Sequence, residues 1–257
     1  MVKKTLILII SLLSLLTLAS FVSAQATVSP VAVDAIESVA PERKPTASGG
    51  VAVASESGNT TELLINGTAI TQHWQGYYGN VTGEITLDDA DSNTLFAWTL
   101  ATPTGELFAV NGTQTVQWNN ITCVNLTNTT SGAETTGSSK INASSLNQQF
   151  YISDFDVDNF TGTFTSTYDG ADLQIGQRTI TADNQCPSTF GHVNNLSQTT
   201  DFEELLLFDN DSSLVFTALL DTPGTTGFDG LDTHHFEMIV GQENGTIGNY
   251  YFYIELG

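Results

Sequence analysis

Residues 84–103 read EITLDDADSNTLFAWTLATP, and residues 204–223 read ELLLFDNDSSLVFTALLDTP. At an offset of 120 the two stretches match without a gap at nine of twenty positions: Glu84/Glu204, Leu87/Leu207, Asp89/Asp209, Asp91/Asp211, Ser92/Ser212, Phe96/Phe216, Leu100/Leu220, Thr102/Thr222 and Pro103/Pro223. Each reads as a strand, an acidic turn, a second strand and a Thr-Pro turn. A hairpin with this grammar, met twice, decides for an all-β chain. The match fades on both sides, so it is either a recurrent hairpin or the trace of two related halves. One compact antiparallel β-sandwich of related halves, residues 61–257, is the favoured reading. A division near residues 135–150 is the alternative.

Outward from these hairpins the same pattern continues. Short runs rich in β-branched and aromatic residues fall at 62–65, 68–74, 81–87, 149–152, 160–167, 173–180, 235–240 and 250–256. A further strand carries Val116, Trp118, Ile121 and Cys123. Gly, Pro, Asn and Asp separate them, as in sandwiches and barrels. No window after the leader has a helical period.

Composition narrows the function classes. Six Lys+Arg against 28 Asp+Glu give a formal charge of −22, which opposes binding to a phosphate backbone and excludes a nucleic-acid partner. Hydrophobic residues at 40% permit a packed core and exclude a disordered chain.

Residues 1–24 read as a signal peptide. Lys3 and Lys4 precede an apolar run, and Val22-Ser23-Ala24 closes it with small residues where signal peptidase cuts. An uncleaved membrane anchor is the alternative. The leader is the expected membrane contact. Residues 25–60 carry Pro30, Pro41, Pro45 and Gly49-Gly50 and read as a flexible linker. Val31-Ala32-Val33 within it has β character and could add to a sheet edge of a neighbouring subunit.

Twelve of 18 asparagines lie in Asn-x-Ser/Thr sequons, well above what composition alone would produce: Asn59, Asn66, Asn80, Asn111, Asn120, Asn125, Asn128, Asn142, Asn159, Asn195, Asn210 and Asn244. Such density points to an exported, N-glycosylated chain. Turn chemistry in a Thr-rich β protein is the competing origin for some, such as Asn66-Gly67. Cys123 and Cys186, the two cysteines, fit the same oxidising compartment as one disulfide, with two buried free thiols as the alternative.

The run Trp74-Gln75-Gly76-Tyr77-Tyr78-Gly79-Asn80-Val81-Thr82-Gly83 resembles a motif of archaeal secreted or cell-surface β-rich proteins. Cys186-Pro187-Ser188-Thr189 and the closing Tyr250-Tyr251-Phe252-Tyr253 are similar to the same family. The resemblance covers roughly residue 70 to the end. It implies an extracellular or surface setting and carries no catalytic residue.

Three constellations bear on chemistry. Asp89-x-Asp91-x-Asn93 spaces three oxygen side chains as hard cations require, and Asp209 with Asp211 repeats part of it, so calcium is the one cofactor expected; a completed EF-hand loop is absent. Alternation along a strand at residues 154–158 would put Asp154, Asp156 and Asp158 on one face and Phe155 and Val157 on the other. Trp74, Tyr77 and Tyr78 could stack on sugar rings, or fill a core beside close-approaching glycines. His73, His192, His234 and His235 are the imidazoles, and no Gly-x-Ser-x-Gly elbow, His-Glu-x-x-His or P-loop accompanies them. The expectation is a non-enzymatic protein of the cell surface with a structural, adhesion or envelope-assembly role. Its partners would be other surface proteins, glycans or further copies of itself. A calcium- or carbohydrate-binding β module is the alternative, and an extracellular hydrolase with paired carboxylates the third.

Overall fold

The computed structural model describes residues 29–45, 51–111, 115–126, 141–209, 213–242 and 248–257. The expected leader at residues 1–24, the sequons at Asn128, Asn210 and Asn244, and Asp211 lie outside the described residues. So do residues 135–140 of the alternative division.

Eighteen strands are described: β1 (Val31–Ala32), β2 (Trp74–Gly79), β3 (Gly83–Asp88), β4 (Thr94–Leu100), β5 (Gly105–Asn111), β6 (Thr122–Cys123), β7 (Ser166–Thr167), β8 (Leu173–Ile175), β9 (Arg178–Ile180), β10 (Pro187–Phe190), β11 (His192–Val193), β12 (Leu196–Ser197), β13 (Glu203–Phe208), β14 (Leu214–Leu219), β15 (Thr225–Thr226), β16 (Thr233–His234), β17 (Phe236–Gly241) and β18 (Tyr250–Leu256). Two short helices, α1 (Ala143–Gln149) and α2 (Phe160–Thr163), join them. The main sheet runs β1-β18-β5-β14-β13-β10-β7, every pair antiparallel, and β6 pairs with β13 alongside β10.

Both faces of this sheet are covered, and that explains why its central strands read as unbroken apolar runs. On β13, Leu206 and Phe208 face one side with Leu107, Ala109 and Phe216. Leu205 and Leu207 face the other with Phe108, Val110 and Val215. The first face is roofed by the β2–β17 ribbon and the two helices, which bring in Met238, Val240, Leu146, Phe150 and Phe160. The second is closed by Val116, Ile121 and Tyr168, by Ile175 and Ile180 of the β8–β9 hairpin, and by the Cys123–Cys186 disulfide. Burying one Leu or Phe side chain contributes about 1.5–3 kcal/mol, so this two-sided core dominates stability. The protein is an all-β, antiparallel, sandwich-like fold with one disulfide.

The matched stretches do form the same element, β3–β4 and β13–β14, but they do not build equivalent halves. β13–β14 lies at the centre of the sheet, whereas β3–β4 forms a separate two-stranded sheet.

Several expected strands are something else. Residues 62–65 are exposed and unpaired in any strand, with Leu64 fully solvent-accessible; β propensity does not make a strand without a hydrogen-bonding neighbour. Residues 149–152 end α1, and residues 160–163 form α2, because Asn142 and Asn159 cap those helices by accepting from the Ser145 and Gly162 N–H groups at 2.8 and 2.7 Å. Residues 154–158 form turns, not an alternating strand: Asp156 N–H donates to the Ser153 carbonyl and Asn159 N–H to that of Asp156. Phe155 and Val157 are both exposed. Val31–Ala32 does add to a sheet edge, and the edge is that of its own β18.

Candidate functional site

The residues flanking the acidic turns share two hydrogen bonds in both hairpins. Asp89 N–H donates to the Asn93 carbonyl at 3.0 Å, and Asp209 N–H to the Ser213 carbonyl at 3.1 Å. Asp89 Oδ1 accepts from the N–H groups of Asp91 and Asn93, and Asp209 Oδ1 accepts from Ser213 N–H. The Asn93 amide adds bonds to both Asp89 oxygens, and these donors hold the Asp89 carboxyl below the usual carboxylate range. Each carboxylate therefore closes its own turn. Asp91 is exposed at the tip of the first.

A β-bulge between Leu87 and Asp88 separates the two hairpins. It sets Leu87 opposite Phe96, whereas Leu207 lies opposite Val215. A shift of one residue moves a strand's side chains to the other face. The bulge thereby gathers Ile85, Leu87, Phe96 and Trp98 on one face, where the opposed pairs are Ile85/Trp98 and Leu87/Phe96. All four are about half exposed, between 45% and 56%. The Phe96 and Trp98 rings lie 4.7 Å apart. Glu84 and Asp88 alternate with Ile85 and Leu87 along β3 and belong to the opposite face, where the Thr86 hydroxyl donates to Asp88 Oδ2, while Asp89 and Asp91 lie at the turn; all four are exposed. The base of the hairpin is seated against the main sheet, where the Leu256 side chain packs over Gly83.

The aromatic trio divides. Trp74 is committed to the core, its ring 5.1 Å from Phe160 and 6.4 Å from Phe216 and its indole N–H donating to the Asp158 carbonyl. Tyr77 packs edge-on against Phe252. Tyr78 remains exposed, beside Phe228 and His234.

The sequons divide as well. Asn59, Asn66, Asn80, Asn120 and Asn195 are exposed, and Asn111 and Asn125 are intermediate. Asn142 and Asn159 are buried at 5% and 8% exposure, held as helix caps.

Two groupings escaped the sequence. Glu106 and Glu255 are directly opposed on β5 and β18, and burial together with Glu255 pushes the Glu106 carboxyl up to about 7. Glu204, buried on β13, accepts from Ile239 N–H at 2.8 Å and is held well above the usual carboxylate range by desolvation. The other grouping is His73, Asp156 and Asp158. Register places the Glu pair and tertiary folding places the His-Asp set; the only local sign was three alternate aspartates. His73 also lines a depression of about 400 Å³ with Arg43, Gln72, Phe150, Tyr151 and Gln242. None of these six residues is a carboxylate.

Comparison of the chain with protein-family models, curated proteins and solved structures gave no match.

Proposed function

We propose that this is an exported, N-glycosylated protein of the cell surface, with a structural or adhesive role, and that it binds partner polypeptides through the β3–β4 hairpin. The observation that carries the reading is the half-exposed face of Ile85, Leu87, Phe96 and Trp98 on a ribbon in which β3 and β4 pair with each other alone. Unsatisfied strand edges beside an apolar face are what strand addition uses. The exposed acids of the ribbon and its turn select the partner: an extended apolar segment flanked by Lys or Arg, drawn in by a chain of charge −22. The leader, the sequon density, the disulfide and the resemblance to archaeal surface proteins support the extracellular setting.

The test replaces Phe96 and Trp98 together by Ser. The variant is expected to keep the parent's melting temperature, since neither ring belongs to the two cores. It is expected to leave the native cell-envelope fraction, while the parent stays bound and is released by raised salt. Unchanged retention of a folded double variant rejects the hairpin as the binding element.

A further inference from the structure

We propose that His73, Asp156 and Asp158 form a binding site for a divalent transition cation of the zinc class. One ring nitrogen of His73 and one carboxylate oxygen from each aspartate lie within 4.8 Å of one another. Ligand atoms held tetrahedrally at about 2.1 Å from zinc sit about 3.4 Å apart. His73 Nε2 and Asp156 Oδ2 are already 3.4 Å apart. The Asp158 carboxylate is the third donor of the set.

The donor types choose the metal. An imidazole nitrogen with two carboxylates is a zinc-type set, whereas calcium takes oxygen alone. This separates the site from the acidic turns, whose donors are all oxygens. The surroundings orient the ligands, as second partners do in metal sites. Ser153 N–H donates to Asp156 Oδ2 and the Thr71 hydroxyl to Asp158 Oδ2. His73 is fixed through its backbone, its N–H donating to Thr71 Oγ1 and its carbonyl accepting from Gln242 N–H. The side chains of His73 and Asp156 are 24% and 41% exposed, so an ion can enter and keep a water as its fourth ligand. The bound ion ties the approach to β2 to the turns between α1 and α2, which pack over the first core through Trp74 and Phe160.

The full chain, stripped with a chelator, is titrated calorimetrically with ZnCl2 and separately with CaCl2, and its melting is followed. One equivalent of zinc is expected to bind and to raise the melting temperature by about 4 °C or more at saturation. Asp156→Asn and His73→Gln are each expected to weaken zinc binding at least tenfold. Asp156 lies on an exposed turn, so its variant keeps the fold whatever His73→Gln does. Equal zinc affinity in Asp156→Asn, equal affinity for calcium, or no saturable binding leaves only a His-carboxylate ion pair and overturns the proposal.

Discussion

Asn142 and Asn159 each carry a sequon and cap a helix, and one side chain cannot serve both ends. The cap needs the amide inside the fold, accepting from a backbone N–H; a glycan needs it in solvent. Peptide mapping of the native protein is therefore expected to find sugar at exposed Asn59, Asn66, Asn80, Asn120 and Asn195, and none at Asn142 or Asn159. Full occupancy at the two caps would contradict their burial. Glu106 makes the second residue-scale prediction. Its folded-state pKa of about 7 lies above its ordinary 4.5, so the folded chain binds a proton between those values that the unfolded chain does not. Stability should rise as pH falls from 8 to about 5, by roughly 2 kcal/mol from this residue. Glu203, Glu204, Asp221, Glu237 and Glu255 are raised as well and add in the same direction. The lowered Asp89 and Asp154 act only below the usual carboxylate range. Glu106→Gln should be more stable than the parent at pH 8 and lose that advantage at pH 5 in denaturant melts.

Among the elements, one sequence pattern has two fates. β13–β14 sits between β5 and the strands β6 and β10, and its apolar residues are buried on both sides. β3–β4 has the same strand-turn-strand grammar and the same Asp-closed turn, yet its apolar side faces water. The hairpins were legible because strand alternation and turn residues are local. Their placement was not, because it follows from which edges find partners. The bulge at Leu87/Asp88 was equally hidden: no residue there requires it, and it shows only in the pairing. The helices were missed for a different reason. Asn142 and Asn159 sat in a context that reads as glycosylation sites, and helices of seven and four residues are too short to show a period. The metal-ligating set mixes both cases, with Asp156 and Asp158 visible as a pair and His73 joined to them only by folding.

For the whole molecule, one covalent link closes the second core. Cys123 on β6 and Cys186 just before β10 flank the same edge of β13, with Cα atoms 4.8 Å apart and a sequence separation of 63. Replacing both by Ala should lower unfolding stability by roughly 4 kcal/mol, mostly by freeing the unfolded chain, as chemical denaturation would record. An unchanged midpoint would mean that packing around β13 suffices alone. The same sheet ends, on its far side, at a much lighter closure. Among the described residues, the outer edge of β18 is paired by Val31 and Ala32, at Ile254 and Tyr253, and Val33 adds one bond to Phe252. Described residues 34–45 and 51–69 are solvent-exposed between this closure and β2. A single proteolytic nick there would turn a built-in strand into a detachable one. Once it left, β18 would present an open edge to whatever extended chain came next, so the integrity of that stretch decides whether the sheet ends or keeps growing.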